Sequence, residues 1–309
     1  KKYHIPTAGY AVFTELEEAL SYVKNHPLPL VVKADGLARG KGVVIAGTLK
    51  EAGQALRDML EGRMFGESGS RVIVEEFLEG PEVSVLAFVD GERVVPFVSA
   101  MDHKRAFAGD KGPNTGGMGA VAPNPFYTEE TAKRAMAEIF LPTVRAMARE
   151  GRPFKGCLFF GLILTKEGPR VLEYNARLGD PETQALLPLL EGDLLAAMLA
   201  VREGRLQAGD LPFRAGHACC VVLASGGYPG KFPAGFPIRV EGVPDAALYY
   251  AGVAEKDGQL VTAGGRVMSL TATAPTLREA VDRAYRAAQR VRFEGMMARS
   301  DIGARALEG

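Results

Sequence analysis

Leu30-Val31-Val32-Lys33-Ala34-Asp35-Gly36-Leu37-Ala38-Arg39-Gly40-Lys41-Gly42-Val43-Val44-Ile45-Ala46 divides into an apolar strand, a glycine-rich loop and a second apolar strand. Residues 30–33 and 43–46 carry the β-branched density of buried strands. Between them, Gly36, Gly40 and Gly42 let backbone N–H groups turn toward an anion, while Lys33 and Lys41 place point charges within reach of phosphate oxygens. A Walker loop is excluded. Counted from Gly36, its second glycine would fall on Lys41, and a strand follows where that motif needs a helix; the dinucleotide fingerprint fails for the same reason. Taken alone, the segment also fits a hairpin tip with two unrelated lysines.

Working outward, residues 14–25 predict a helix with Thr14 as N-cap and Leu16, Leu20 and Val23 on one face; a second helix is predicted over 49–60. A strand is expected over 71–78, and residues 83–89 and 93–98 flank Asp90-Gly91-Glu92 as a hairpin. Residues 101–125 lose apolar periodicity and are rich in Gly, Pro, Asp and Asn, the composition of a long functional loop. A helix follows from Thr128 to Gly151, interrupted at Pro142, and then strands over 157–164 and 170–175. Asp180-Pro181-Glu182 predicts a helix start, with the aspartate as cap and the proline at the first helical position. From about residue 213 the chain predicts a lobe of its own, with strands over 218–224, 247–253 and 266–273. Its helix opens on the capping box Thr276-Leu277-Arg278-Glu279. Ser225-Gly226-Gly227-Tyr228-Pro229-Gly230 reads as a tight turn rather than a second phosphate loop.

The 309 residues are 47% hydrophobic, enough for two or more cores. Thirty-seven basic and 37 acidic residues cancel, so there is no broad positive field for nucleic acid or an anionic membrane. Any anion must be held by local groups. No apolar run approaches the roughly 20 residues of a membrane helix, and the expected location is cytoplasmic. Three cysteines and four scattered histidines make neither a disulfide framework nor a zinc spacing.

In Val171-Leu172-Glu173-Tyr174-Asn175-Ala176-Arg177, strand alternation would put Glu173, Asn175 and Arg177 on one face. Glu173 and Asn175 offer the oxygen donors that magnesium takes alongside phosphate oxygens and water, and Arg177 offers a two-donor fork for a phosphate or carboxylate. An ordinary solvated strand face remains the other reading of these residues alone.

Three features occur in order: the 33–42 loop between strands, Glu75-Glu76-Phe77-Leu78-Glu79-Gly80-Pro81-Glu82, and Glu173-Tyr174-Asn175 just before Arg177. Together they resemble the ATP-grasp ligases. Asp102-His103-Lys104-Arg105, Gly112-Pro113-Asn114-Thr115-Gly116-Gly117-Met118-Gly119 and Asn175-Ala176-Arg177-Leu178-Gly179-Asp180-Pro181-Glu182-Thr183-Gln184 resemble, more narrowly, the glycinamide ribonucleotide synthetase family. The likeness runs from Ile5-Pro6-Thr7-Ala8 to Asp301-Ile302-Gly303. It implies an α+β/α/β ATP-grasp fold, a small lid lobe (9–78) with a larger mixed-sheet catalytic lobe (79–212), followed by a C-terminal α/β lobe (213–309). It also implies a leading nucleotide-fold domain before this chain, with residues 1–8 as the linker from it.

The activity implied by the resemblance is ligation of glycine to 5-phosphoribosylamine, with ATP phosphorylating the glycine carboxylate and magnesium or manganese assisting. By the same carry-over Lys33, Gly40, Lys41 and Gly42 hold ATP phosphates, the backbone of Glu75, Glu76, Phe77 and Leu78 borders adenine, and Glu82 reaches the ribose. Glu173 and Asn175 would hold the metal. Asp102, His103, Lys104, Arg105, Asn114, Thr115, Gly116, Arg177, Asp180, Pro181 and Glu182 would receive the two substrates, with Lys41, Arg177 and Asp102 as catalytic residues. Phosphoryl transfer of this kind relies on positioning and charge stabilisation, so no side-chain nucleophile is required. Small molecules are the expected partners, with neither nucleic acid nor membrane, in a monomer or homodimer. Another ATP-grasp carboxylate–amine ligase acting on a ribonucleotide, or an ATP-binding module inactive without the leading domain, are the competing readings.

Overall fold

Apolar alternation closes the first sheet. In the computed structural model, which describes residues 2–36, 42–62 and 69–308, contacts group Pro6–Gly80 as one unit and Pro81–Gly309 with residues 1–5 as another. The first unit runs β1 (Tyr10–Phe13), α1 (Leu16–Lys24), β2 (Leu30–Ala34), β3 (Val43–Ala46), α2 (Leu49–Leu60) and β4 (Val72–Glu76). Its four strands pair antiparallel in the order β1-β4-β2-β3. Leu30, Val32, Ala46, Val72 and Val74 face the helices and pack on Ala19, Val23, Ala52, Leu56 and Met59. The opposite face keeps Val12, Val43 and Ile45 at 46%, 40% and 46% exposure, so within this unit an apolar sheet face stays uncovered.

Two expectations change here. Glu15, without a side-chain cap bond, precedes α1 in place of Thr14, because the first helical hydrogen bond runs from Ala19 N–H to the Glu15 carbonyl at 3.2 Å. β4 stops at Glu76 although the apolar run continues to Leu78, since its neighbours end there: Glu75 pairs with Tyr10 and Glu76 with Leu30. α2 spans 49–60 as expected, and the structure adds a capping box, with Glu51 N–H donating to Thr48 Oγ1 (3.2 Å) and Thr48 N–H to the Glu51 carboxylate (3.1 Å).

The second unit begins with β5 (Glu82–Asp90), β6 (Val94–Pro96), β7 (Met101–Asp102), β8 (Arg105–Phe107), β9 (Lys111–Asn114) and β10 (Gly119–Ala122). Residues 101–122 thus hold four short strands where a structureless loop was expected. Strands of two to four residues are too short to show a period, and their glycines mask it further. A helical stretch follows as α3 (Glu129–Ala135), a π turn at Met136–Phe140 and α4 (Leu141–Arg149). Thr128 caps it through Thr131 N–H, and the π turn lies just before Pro142, where the ordinary helical ladder would lose a donor.

β11 (Lys155–Thr165) and β12 (Gly168–Asn175) join β5 and β6 in an antiparallel sheet ordered β12-β11-β5-β6. β5 is buried on both faces: Val83, Val85, Ala87 and Val89 pack on the α3–α4 side, and Leu86 and Phe88 on the side of α6 (Leu194–Glu203), which follows α5 (Glu182–Leu186). Then come β13 (His217–Ser225), β14 (Arg239–Val240), β15 (Ala247–Tyr250), β16 (Val253–Lys256), β17 (Gln259–Thr262), β18 (Arg266–Ala274), α7 (Leu277–Ala288), β19 (Val291–Arg292), β20 (Met296–Met297) and α8 (Ala304–Glu308). The single strand expected over 247–253 breaks into β15 and β16 where Gly252 backs onto Gly264 so closely that a Cβ would meet its Cα at 2.5 Å.

β7 and β10 add to β13, β18 and β15 in one sheet, ordered β15-β18-β13-β10-β7 with β20 on β13. The boundary expected near residue 213 is therefore spanned by hydrogen bonds, Gly119 pairing with Val221 and Ala122 with Ala218. Named strand pairs among the described residues are antiparallel, where a mixed sheet was expected in the larger lobe. No helix among the described residues is long and apolar enough to cross a membrane.

Leu56 is fully buried between the two helices and the sheet of the first unit. Leu56→Ala is expected to lower that unit's stability by about 2–5 kcal/mol. Amide exchange across 10–76 should accelerate in the variant, and unchanged exchange there would contradict the packing described.

Candidate active site

In the first unit, β2 and β4 place Lys33 and Glu75 on the uncovered sheet face, and Lys33 Nζ lies 2.6 Å from Glu75 Oε2. The glycine loop is closed at its neck by Ala34 N–H donating to the Gly42 carbonyl at 2.9 Å. Gly40 and Lys41 lie outside the described residues. Glu76 accepts the Gly9 N–H at 2.7 Å and returns its own N–H to the Gly9 carbonyl at 2.9 Å. Phe77 and Leu78 continue past the strand, both half-buried.

In the second unit, acidic groups gather around one lysine. Lys104 Nζ is 2.9 Å from Glu82 Oε2. Burial works against its charge, but the carboxylates of Glu82, Asp102 and Glu173 outweigh burial and raise its pKa. Asp102 ends β7, and its Oδ1 is buried with no hydrogen-bond partner among the described residues. Its pKa is raised, first by burial and then by the Glu182 carboxylate, with Lys104 opposing. Glu182, 3% exposed, accepts a hydrogen bond from Ser84 Oγ at 3.1 Å, and burial pushes its pKa up as well. Two carboxylates in one dry site favour holding a proton.

The loops around these acids approach closely because glycines let them. A Cβ on Gly117, whose φ is +110°, would meet Pro181 Cδ at 2.3 Å and Asp102 Oδ1 at 2.9 Å. A Cβ on Gly179 would meet Glu182 Oε2 at 2.6 Å. Thr115 closes its own turn, donating from Oγ1 to the Lys104 carbonyl at 2.8 Å and accepting the Gly117 N–H at 3.0 Å.

Glu173 and Asn175 lie on β12, with Asn175 Nδ2 donating to Glu173 Oε1 at 3.3 Å. Between them Tyr174 points the other way, its ring on Phe160 and its hydroxyl 2.9 Å from Thr143 Oγ1. The alternation expected of residues 173–175 therefore holds, but β12 ends at Asn175. Arg177 sits beyond it, donating to the Leu178 carbonyl at 2.9 Å while its charge acts on Glu182.

Several expected site residues have partners within the chain. His103 is 6% exposed, and its Nε2 accepts the Gly303 N–H at 3.2 Å. Burial, followed by the Arg299 cation, lowers its pKa to about 4, which leaves a neutral ring packed against the chain's C-terminal segment. Arg105 Nη1 holds the Gly112 carbonyl at 2.9 Å, and Asn114 is exposed opposite Arg105 in the β8–β9 hairpin. Asp180 does not cap the helix. Pro181 occupies the position before α5, without a side-chain cap, because both Asp180 carboxylate oxygens are bound by Arg266, at 3.1 Å from Nη1 and 2.8 Å from Nη2.

Sequence reasoning did not single out Ser84, Tyr228, Arg266 or Arg299. Arg266 and Arg299 are 21% and 2% exposed in their side chains, and each is paired with an acid. The sequence signal was the arginine after Gly264-Gly265 and the Arg299-Ser300-Asp301 triplet, both ambiguous without their partners.

Comparison with known proteins agrees with this layout. The ATP-grasp (A) domain of phosphoribosylglycinamide synthetase matches residues 1–183, and that family's C domain matches 218–305. A phosphoribosylamine–glycine ligase of Vibrio vulnificus is 48% identical over 312 residues, covering 99% of this chain and 72% of that protein. One from Caldanaerobacter subterraneus is 49% identical over 304 residues, covering 98% and 73%. The crystal structure of the Thermotoga maritima phosphoribosylamine–glycine ligase superposes with a TM-score of 0.90 at 39% identity, over 97% of this chain and 75% of that one.

The neutral, buried His103 gives a signed pH dependence. Its folded pKa, about 4, lies below the ordinary 6.5, so the stability tied to it is fully present above pH 6.5 and is lost as pH falls toward 4. The expected loss is on the order of 3 kcal/mol. Urea unfolding at pH 7.5, 5.5 and 4.5 should show a smaller acid loss in His103→Asn than in the parent, and identical slopes would rule out this contribution.

Proposed function

Since the chain belongs to the phosphoribosylglycinamide synthetase family, we propose that it joins glycine to 5-phosphoribosylamine at the expense of ATP, giving glycinamide ribonucleotide, ADP and phosphate. The observation that carries this reading is the 48% identity, over 99% of this chain and 72% of the relative, to a phosphoribosylamine–glycine ligase. The packing of its longest motifs, 112–119 and 175–184, around Asp102 and Glu182 supports it.

In this reading a glycine carboxylate oxygen attacks the γ-phosphorus of ATP, the bond to the bridging oxygen breaks, and ADP leaves. The amine nitrogen of phosphoribosylamine then attacks the carbonyl carbon of glycyl phosphate, the C–O bond to phosphate breaks, and a proton leaves the nitrogen. Lys33, Gly40, Lys41 and Gly42 would bind the phosphates, and the exposed apolar face carrying Val43 and Ile45 suits a flat base bordered by Glu75, Glu76, Phe77 and Leu78. Glu82 is our candidate for the ribose hydroxyls.

Glu173 and Asn175 present two neighbouring side-chain oxygens, the donor set that suits magnesium or manganese held partly by nucleotide phosphates. When bound there, such an ion would neutralise charge building on the phosphates. Arg177 would orient a substrate carboxylate or phosphate. Asp102 is our candidate to meet a substrate amine, because its Oδ1 is buried and otherwise without a partner among the described residues. Lys104, Arg105, Asn114, Thr115 and Gly116 would shape the pocket around it, and Pro181 and Glu182 would wall it.

The direct test is ADP release with ATP, magnesium, glycine and freshly generated phosphoribosylamine, on this chain and on one extended with the family's leading domain. Glycine-dependent turnover is expected, whereas ADP release indifferent to glycine in both would sink the assignment. Lys41→Ala and Glu173→Ala should each lower turnover about 100-fold or more with the fold intact. Arg177→Lys should fail to restore activity, because an ammonium lacks the planar two-donor fork; normal phosphoribosylamine affinity in that variant would remove Arg177 from the site.

A further inference from the structure

Arg266 opens β18, far along the chain from either long motif, yet its guanidinium bonds to both. Nη1 donates to the Gly116 carbonyl at 2.8 Å, to the Asp180 carbonyl at 3.0 Å and to Asp180 Oδ1 at 3.1 Å, and Nη2 donates to Asp180 Oδ2 at 2.8 Å. From the other side, Gly116 N–H donates to the Tyr228 hydroxyl at 2.9 Å. The Gly116 residue is thus gripped at its N–H and at its carbonyl by two side chains from the 213–309 part of the chain.

The grip is tight by construction. A Cβ on Gly116 would meet the Arg266 guanidinium carbon at 3.0 Å, and a Cβ on Gly265 would meet the Tyr228 ring at 2.3 Å. The same junction carries Gly117, which packs against Pro181 and the buried Asp102 Oδ1. Moving the 116–117 peptide or the 180–181 peptide would therefore change the wall of the pocket at Asp102. A guanidinium suits the task because its planar, forked donors define direction as well as charge.

We propose that Arg266, assisted by Tyr228, is a positioning residue that clamps Gly116 to Asp180 and so sets the geometry of the substrate pocket around Asp102. Asp180, on this account, serves the clamp and does not bind substrate. The inference rests on the ligase reading for its kinetic consequence and on the geometry alone for its structural one.

The test is steady-state kinetics of Arg266→Lys and Tyr228→Phe in the glycine-dependent ADP assay, with amide exchange of peptides covering 112–119 and 177–184. Arg266→Lys should raise the KM for glycine or phosphoribosylamine about tenfold or more while the KM for ATP stays within about twofold. Tyr228→Phe, which removes a single hydroxyl, should act in the same direction and less. Faster exchange in both peptides should accompany the change. Unaltered KM values for both small substrates in an active, folded Arg266→Lys enzyme would overturn the clamp, as would a uniform loss of active enzyme with every KM unchanged. If the parent enzyme itself releases no ADP in response to glycine, the ligase reading falls, and the exchange rates decide the clamp by themselves: faster exchange keeps it and unchanged exchange removes it.

Discussion

Carboxylates tolerate burial beside one another only when a cation or a shared proton relieves them. In the second unit Lys104 sits within the field of Glu82, Asp102 and Glu173, with Glu182 against Asp102 and tied to Ser84. Isolated buried charge costs several kcal/mol, so the enclosed Asp102 and Glu182 persist as neighbours only while the surrounding loops keep them in place, whereas Glu82 and Glu173 stay exposed. The fold supplies that constraint through β5, which brings Glu82 and Ser84, and through β7, which brings Asp102. An acid oxygen that is buried and, among the described residues, without a partner is disposed to accept a donor from a ligand.

The loops reach the acids because several positions have no side chain. Gly117 and Gly179 bring backbone to distances at which any Cβ would collide with Pro181, Asp102 or Glu182. Close approach of backbone packs these loops onto the acids, and two arginines hold the same loops from other parts of the chain. Arg299, 3% exposed, binds Asp110 and Asp301 at 2.8 and 2.7 Å and the Arg105 carbonyl at 3.1 Å, anchoring the β8–β9 hairpin to the end of the chain. Arg266 does the corresponding work for residues 116 and 180. The C-terminal third thus supports loops whose polar groups come from earlier in the chain.

The first unit follows a different logic. One sheet face is filled by two helices, and the other presents apolar residues with the Lys33–Glu75 pair among them. Apolar surface left open beside a fixed cation suits a ligand that is flat and apolar at one end and anionic at the other, the character of ATP.

Local pattern was enough wherever period and composition carry the information. The sequence by itself determined both helices of the first unit, the Thr276 cap, the strands flanking the glycine loop, and the alternation that separates Glu173 and Asn175 from Tyr174. Its long motifs determined the family, since those residues stand in fixed order at fixed spacing. Tertiary structure alone decided that residues 101–122 form strands, because strands of two to four residues show no period: β10 finds its partner in β13, far along the chain, β7 adds onto β10, and β8 closes on β9. It alone decided that His103 is a neutral packing group and that Asp180 answers to Arg266 instead of capping α5. An ionisable side chain's role depends on which charges and donors fold against it, and those partners lie 86 residues away for Asp180 and 200 for His103, beyond the reach of any local pattern.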